Sequence, residues 1–327
     1  MTDNNRHPTR REALRIGAAA ALGLTVGRLP LHAAPYASLA ASRSGGVWAD
    51  DLITKAIPSS GERIPVVGLG TNRYSVTEEA DLAARRAVLR RMPDLGLTVV
   101  DTAPSYGRSE EVIGQLTSEI GNRDRLWIAT KVTARDNDVQ VGTQMLNDSF
   151  RKLRTDRVEL MQVHNLNGTE VMLPVMREWK QDGRIRYIGV TTSSDRQYEE
   201  LERIMRSEDL DFIQVDYSIG NRTAGERILP LAQDRGMAVL LNLPFGGARG
   251  NVVVQMGERP LPDWAAEFGA ASWAQVFLKY DVSHPAVTAA IPGTTNVRHL
   301  EDNAAAARGE LPDAAMRRRI EQFFDAL

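Results

Sequence analysis

The sequence predicts an α/β protein, a (β/α)8 TIM barrel with an N-terminal β-hairpin, preceded by a leader and linker segment. From residue 53 onward, short β-branched runs alternate with longer amphipathic segments, the pattern of repeated βα units around a parallel sheet. Eight strand runs are found, and their span of roughly 250 residues is typical of this barrel. A doubly wound open sheet is the main alternative. The predicted strand ends are Gly70, Asp101, Lys131, His164, Thr191, Asp216, Asn242 and Ile291.

Composition narrows the possible functions. The 327 residues carry a formal net charge of -2 and include no cysteine. Disulfides, a thiolate metal site and a thiol nucleophile are therefore excluded. The balanced charge does not predict a nucleic-acid partner, and the length provides a core for one large or two small domains.

The N-terminal segment is predicted to be a signal peptide of the twin-arginine (Tat) type. Arg10 and Arg11 form the arginine pair, a mildly apolar stretch follows at 16–26, and small residues at 33–41 could accept a peptidase. The apolar stretch is shorter than the ~20 residues of a membrane span, so we expect no stable membrane association of the mature protein. We expect the Tat translocase as a partner during export and a periplasmic location, with the cytoplasm as the alternative. The predicted boundaries are 1–41 for the signal peptide, 42–52 for the linker and 53–327 for the barrel.

Local signals place the elements around the barrel. Two strand-like runs flank Pro58-Ser59-Ser60-Gly61, which predicts a hairpin that closes the barrel bottom. Ser109 opens a helix with acidic residues in its first turn. The Gly/Arg-rich stretch 245–262 lacks clear periodicity and is predicted to be a cofactor or substrate flap, with disorder as the alternative. Glycines at predicted helix ends are Gly183, Gly236 and Gly309.

Four ionisable residues are predicted to meet at one mouth of the barrel. Asp101, Lys131 and His164 end consecutive strands, and Tyr106 follows on the next loop. The carboxyl ends of barrel strands form the catalytic face. We expect the Lys131 cation to lower the pKa of Tyr106 and Asp101 to keep Lys131 charged. With His164 donating a hydrogen bond, these groups would polarise a carbonyl, and Tyr106 would be the proton donor.

None of the four residues supplies a nucleophile, and a hydride from a reduced nicotinamide would complete the reaction. The end of the eighth strand has small, hydroxyl-rich residues before a helix, where free backbone N–H groups favour phosphate. The same residues also make an ordinary turn and N-cap. No metal is expected, because the remaining histidines have no ligand spacing. The residues of this phosphate segment are Ile291, Gly293, Thr294 and Thr295.

The residues from about 64 to 303 resemble the aldo-keto reductase family. The resemblance implies NAD(P)H-dependent reduction of a small-molecule carbonyl substrate, without a metal or flavin. It places Asp101, Tyr106, Lys131 and His164 in the family's catalytic tetrad. The matching segments are 66–71, 101–107 with Ser109 and Glu110, 129–131, 162–165 and 183–190.

The resemblance also implies a cofactor site and a substrate pocket. Gln214 matches the residue that holds the nicotinamide carboxamide, and Asp302 and Asn303 match positions that contact adenine. Arg298 and His299 are the candidate cations for the 2′-phosphate of NADPH, while NADH stays possible because a histidine is only partly protonated near neutral pH. The other implied cofactor residues are Gly70, Thr71, Asp101, Thr191, Thr192, Asn242, Pro244, Phe245 and Gly246. The implied pocket residues are Asn72, Tyr106, His164 and Asn165.

Several positions depart from the family pattern. Thr191 and Thr192 replace a Ser-Asn pair, and Asn242 replaces an aromatic residue that commonly stacks on the nicotinamide, with Phe245 as a candidate to compensate. Asn72 and Asn165 also stand where aromatic residues are common, so a more polar substrate pocket is expected.

Three classes of function fit these residues. The first is an exported NADP(H)-dependent reductase that reduces an aldehyde or ketone, or oxidises an alcohol. The second is a nicotinamide-binding redox sensor or interaction subunit on the same barrel, with slow or no turnover. The third is a lyase that uses Lys131 as a Schiff-base amine. Asp101 disfavours the lyase, because a nearby carboxylate favours the charged lysine.

Overall fold

A computed structural model describes residues 52–247 and 250–327 of the chain. The predicted signal peptide, and the predicted linker except Leu52, lie outside the described residues. Helices surround a parallel sheet of eight strands, which is the predicted fold class. Two further strands form the predicted hairpin.

The barrel strands follow one another around the sheet in chain order. Parallel bridges from Val67 to Ala290 and from Gly70 to Gly293 join the first barrel strand to the last. The doubly wound open sheet is therefore excluded, because such a sheet has two free edges and a reversal of strand order. The barrel strands are β3 (Leu69–Gly70), β4 (Val99–Asp101), β5 (Trp127–Val132), β6 (Val158–His164), β7 (Ile185–Thr191), β8 (Phe212–Asp216), β9 (Ala238–Asn242) and β10 (Ala289–Ala290).

Amphipathic helices form the outer layer. In one of them, Asp138 caps the first turn by accepting hydrogen bonds from two backbone N–H groups, and Leu146, Phe150 and Leu153 are buried at helical spacing. Within the described ranges, no helix has the length and apolar character to cross a membrane. The helices are α1 (Glu79–Arg91), α2 (Ser109–Ile120), α3 (Val139–Leu153), α4 (Thr169–Gln181), α5 (Tyr198–Ser207), α6 (Ala224–Asp234), α7 (Val252–Met256), α8 (Trp273–Ser283), α9 (Val297–Ala305) and α10 (Ala314–Asp325).

The N-terminal hairpin pairs β1 (Thr54–Ala56) with β2 (Arg63–Pro65) in antiparallel fashion, as predicted. Ile64 of β2 and Ile57, which follows β1, are buried in the same cluster as the inward side chains of the barrel. Trp127, Tyr187 and Phe212 fill the centre of that cluster, with ring centroids 5.5 to 6.1 Å apart. The interior of the barrel is thus a packed core.

The predicted strand ends agree with the observed ends to within one residue. Strand β5 continues one residue past Lys131, and β10 ends one residue before Ile291. The glycines predicted at helix ends adopt left-handed backbone conformations, with φ between 65° and 75° at Gly183, Gly236 and Gly309.

The stretch 245–262 contains structure that its composition did not predict. Helix α7 forms inside it, because the side chain of Asn251 accepts hydrogen bonds from the N–H groups of Val253 and Val254. Such a short helix has too few residues to display a hydrophobic period. The role of this stretch as a flap stays a prediction.

Candidate active site

The predicted catalytic residues come together at the carboxyl ends of β4, β5 and β6. Asp101 and His164 are the last residues of their strands, and Lys131 is the penultimate residue of β5. Tyr106 lies on a single 3₁₀ turn, Pro104–Tyr106, that follows β4. Parallel pairing of these strands brings all four side chains to the same end of the barrel.

A buried ion pair forms the base of the site. Lys131 Nζ donates to Asp101 Oδ2 and to the carbonyl oxygen of Thr102, both at 2.7 Å. The two side chains are only 1% and 3% exposed. Burial by itself would lower the pKa of Lys131, but the charge of Asp101 and its hydrogen bond, with a contribution from Tyr106, raise it more, so the pKa lies above its ordinary value and Lys131 is protonated.

Tyr106 lies directly above this cation. Lys131 Nζ is 5.0 Å from the centroid of the phenol ring, within the range of a cation–π contact. As expected, the charge of Lys131 acts to lower the pKa of Tyr106, but the net pKa lies above its ordinary value. Burial, with a contribution from Asp101, raises the pKa more than Lys131 lowers it. Tyr106 is therefore protonated at neutral pH, as a proton donor must be.

His164 faces the edge of Tyr106, with ring centroids 6.1 Å apart and planes at 87°. Its Nδ1 atom lies 3.4 Å from Ser105 Oγ. Burial, and to a lesser extent the charge of Lys131, lowers the pKa of His164 to about 4. The imidazole is neutral at physiological pH and has one N–H to donate.

A cluster of buried hydroxyls holds the loop that carries Tyr106. Ser109 Oγ donates to the carbonyl oxygen of Thr71 at 3.0 Å and lies 2.9 Å from Thr102 Oγ1. Thr71 Oγ1 donates to the carbonyl oxygen of Asp101 at 2.8 Å. From the sequence, Thr102 had no predicted role, and Ser109 was predicted only to start a helix and to belong to the family resemblance, because its partner Thr71 is 38 residues away in the chain.

The candidate nicotinamide residues join the ion pair through hydrogen bonds. Gln214 Nε2 donates to Asp101 Oδ1 at 2.8 Å, and Thr191 Oγ1 donates to Gln214 Oε1 at 2.8 Å. Asn242 Nδ2 donates to the carbonyl oxygen of Thr192 at 3.2 Å, while Asn242 Oδ1 is buried and has no hydrogen-bond partner among the described residues. An unsatisfied buried acceptor costs free energy, and the amide N–H groups of a nicotinamide could satisfy it.

The residues after β10 fit a phosphate group. Thr294 is buried and Thr295 half-buried, and a Cβ atom at Gly293 would lie 3.4 Å from the carbonyl oxygen of Gly70. Helix α9 begins just beyond, where Arg298 and His299 are exposed on the first turn. The backbone N–H groups of Asn296 and Arg298 already donate to Thr294 Oγ1 and Asn296 Oδ1, so the exposed Arg298 side chain and the positive end of the helix are what favour an anion here. These residues therefore suit the phosphates of a dinucleotide.

Other predicted cofactor residues have partners within the fold. Asp302 accepts hydrogen bonds from Ser272 Oγ at 2.8 Å and Gln275 Nε2 at 2.7 Å, which ties α9 to α8. Asn303 is buried. Contacts from Asp302 and Asn303 to adenine stay predictions. The partners of Asp302 could not be predicted from the sequence, because Ser272 at the N-cap of α8 is already explained by its capping role.

The segment after β9 turns sharply at the mouth. Pro244 and Gly246 are buried, and Gly246 has a φ of 90°, which favours glycine. Phe245 is partly buried and packs against the hydrophobic core that the helices share with the outer side of the sheet. Gly246 also lines a cavity of about 100 Å³ whose other lining residues are Gly220, Asn221, Gly250, Val252, Gln255 and Phe324.

The expected substrate residues Asn72 and Asn165 are exposed at the ends of β3 and β6. Asn165 has a φ of 53°, and its carbonyl oxygen accepts a hydrogen bond from Gln197 Nε2 at 2.9 Å. Neither side-chain amide has a hydrogen bond within the described part of the chain. Among the described residues, no group of three His, Asp or Glu side chains has the geometry to hold a metal ion.

Comparison with known proteins gives consistent matches. The family model described as "Aldo/keto reductase family" matches residues 66–323. The methylglyoxal reductase YeaE of Escherichia coli is 30% identical over 268 residues, which cover 80% of this chain and 92% of that protein. The aldo-keto reductase YhdN of Bacillus subtilis is 33% identical over 207 residues, 57% of this chain and 60% of YhdN. A crystal structure of an aldo/keto reductase from Klebsiella pneumoniae in complex with NADP and acetate superposes with a TM-score of 0.67 at 25% identity, over 81% of this chain and 93% of that one.

Proposed function

The chain belongs to the aldo/keto reductase family and is an oxidoreductase, and from this premise we propose that it catalyses NADPH-dependent reduction of an aldehyde or ketone to an alcohol. One observation carries the proposal. A protonated phenol, Tyr106, lies against the buried pair of Lys131 and Asp101, with neutral His164 at its edge. This arrangement suits donation of a proton to a carbonyl oxygen.

Each residue has a separate part in the reaction. Tyr106 gives its phenolic proton to the substrate oxygen, and the charge of Lys131 stabilises the phenolate that remains. His164 donates a hydrogen bond to the same oxygen and orients the carbonyl. NADPH, when bound, supplies the hydride that the carbonyl carbon accepts. Asp101 keeps Lys131 charged and in place through the 2.7 Å contact.

The cofactor would be held at two places. Gln214 and Asn242 lie where they would bind the carboxamide, and the turn at Gly293 with the first turn of α9 would bind the phosphates. Arg298 and His299 would then read the 2′-phosphate. Replacing both by alanine should weaken NADPH binding far more than NADH binding, as followed by quenching of tryptophan fluorescence. An equal loss of NADPH and NADH binding would mean that another cation distinguishes the two cofactors.

We propose a small polar carbonyl compound as substrate. The exposed amides of Asn72 and Asn165 offer hydrogen-bond donors and acceptors beside the reacting groups. The E. coli relative is named a methylglyoxal reductase, so methylglyoxal is the first compound to test. A benzaldehyde series is the matched apolar comparison, and a preference for benzaldehydes would contradict a polar pocket.

The decisive experiment measures NADPH oxidation and NADPH binding on the same full-length variants. Tyr106→Phe should reduce turnover by about 10²-fold or more with little change in NADPH affinity. Tyr187→Phe, which loses a phenol at the opposite end of the barrel, is the control and should retain turnover. If Tyr106→Phe reduces carbonyls at the parent rate, the assignment is wrong. If the parent chain binds NADPH but turns over no carbonyl, the redox-sensor function replaces the reductase.

We also propose export through the Tat route, with cleavage near residue 41. Support comes from Arg10 and Arg11 ahead of an apolar stretch and small residues. Replacing both arginines by lysine should retain the chain in the cytoplasm of a bacterial host. Equal periplasmic recovery of the parent and the variant would contradict the proposal.

A further inference from the structure

Two consecutive residues of one turn, Ser105 and Tyr106, contact the His164 ring. Ser105 Oγ is 3.4 Å from Nδ1, and the Tyr106 ring approaches the imidazole edge-on at 6.1 Å. The mechanism above uses Tyr106 and leaves Ser105 without a part. Ser105 is exposed at the mouth, and its hydroxyl makes no other hydrogen bond within the described residues.

The contact matters because His164 is neutral. A neutral imidazole has a proton on one ring nitrogen and accepts a hydrogen bond at the other, so the partner of one nitrogen decides what the other can do. Ser105 is the hydrogen-bond partner of Nδ1, and Nε2 has none among the described residues. The mechanism requires His164 to donate, so the proton must be on the nitrogen that faces the substrate.

We propose that Ser105 is a positioning residue whose hydroxyl donates to Nδ1 of His164 and thereby keeps the proton on Nε2. Nε2 is then the donor toward the substrate oxygen. The proposal rests on the proposed carbonyl reduction, because a hydroxyl can donate to Nδ1 or accept from it, and the donation required of Nε2 sets the direction of the hydrogen bond. The contact between Ser105 Oγ and Nδ1 is observed independently of that reaction.

The turn is built so that Ser105 can serve this purpose. Pro104 begins it, and the N–H of Tyr106 donates to the carbonyl oxygen of Ala103 at 3.1 Å. Gly107 follows with a φ of 63°, and a Cβ atom there would lie only 2.5 Å from Ser75 Oγ. The hydroxyl of Ser105 can rotate toward Nδ1, since no other acceptor competes for its proton within the described part of the chain.

Nitrogen NMR of the labelled full-length chain at neutral pH tests the proposal directly. The chain has five histidines, and loss of one set of signals in His164→Asn assigns the ring. We expect Nδ1 to resonate as an unprotonated nitrogen and Nε2 as a protonated one. Ser105→Ala should give a mixture of tautomers, Ser105→Thr should restore the parent spectrum, and Ser193→Ala, another exposed hydroxyl at the mouth, should change nothing.

Kinetic measurements provide a second test of the proposal. The Ser105→Ala variant should lose about threefold to tenfold in kcat/KM, the size expected for one neutral hydrogen bond, and Ser105→Thr should recover it. A proton on Nδ1 in the parent chain, or an unchanged tautomer ratio in Ser105→Ala, would overturn the proposal. Absence of any carbonyl reduction would instead defeat the proposed function, because the NMR result does not depend on turnover.

Discussion

Replacing Lys131 with methionine tests whether the buried ion pair anchors the site. Methionine keeps most of the volume of the side chain and removes the charge. Asp101 would remain only 3% exposed, with the Gln214 amide as the remaining side-chain partner of its carboxylate. Breaking a buried pair by removing one partner costs about 3 to 5 kcal/mol.

Urea and thermal unfolding of the full chain measure this cost. At about 2 °C per kcal/mol for a chain of this size, the Tm of Lys131→Met should fall by about 6 to 10 °C. Asp101→Asn should also destabilise the fold, because it leaves a buried ammonium. The double variant has no buried charge in this pair, so it should lose less than the sum of the two single losses, with a coupling of about 1 to 3 kcal/mol.

The control is an ion pair of similar length in a more exposed place. Lys180 Nζ lies 2.6 Å from Asp211 Oδ2, but the lysine is 39% exposed. Lys180→Met should therefore cost only about 1 kcal/mol or less. If Lys131→Met loses as little unfolding free energy as Lys180→Met, burial does not make the Lys131–Asp101 pair essential. The same conclusion follows if the losses of the two single variants simply add in the double variant.

Three further outcomes are expected. Because the folded-state pKa of His164 is lowered from 6.5 to about 4, stability present above pH 6.5 is lost as the pH falls toward 4, so thermal melts of His164→Gln should be less sensitive to acid than those of the parent. Asp281 is fully buried, has no hydrogen bond to its carboxylate among the described residues and has a pKa raised well above 3.8 by burial. It therefore contributes stability at low pH that is lost as the pH rises, and the Tm advantage of Asp281→Asn should grow with pH. Gly107→Ala combines a φ of 63° with a Cβ atom 2.5 Å from Ser75 Oγ, so it should cost about 1 to 3 kcal/mol and displace Tyr106; unchanged Tm and carbonyl turnover would contradict this.

The fold and three of the four candidate catalytic residues could be predicted from the ends of the strand runs. A β-branched run that ends in an ionisable residue can be recognised locally, and closure of the barrel brings these ends together. Asp101, Lys131 and His164 all follow this rule. Residue spacing is enough for such placement, because strand direction and order are fixed by the repeated βα units.

The electrostatics of the site could not be predicted in the same way. The sequence gives the charge of Lys131 but not the extent to which Tyr106 is buried, and burial decides the direction of the pKa shift. The partners of Ser109 and Asp302 are equally hidden. The hydrogen bonds from Ser109 to Thr71 and from Ser272 to Asp302 join residues 38 and 30 positions apart, and no local pattern marks them.

Hydrogen bonds across four strands connect the cofactor side of the mouth to the acid. Thr191 donates to Gln214, Gln214 donates to Asp101, and Asp101 accepts from Lys131, which lies beneath Tyr106. Both oxygens of Asp101 are used, one toward the predicted nicotinamide residue and the other toward the cation. A ligand that changes the position of the Gln214 amide must therefore change the hydrogen bonding of Asp101, and with it the position of Lys131. We therefore expect that a cofactor bound at Gln214 changes the pKa of Tyr106 through the single carboxylate of Asp101.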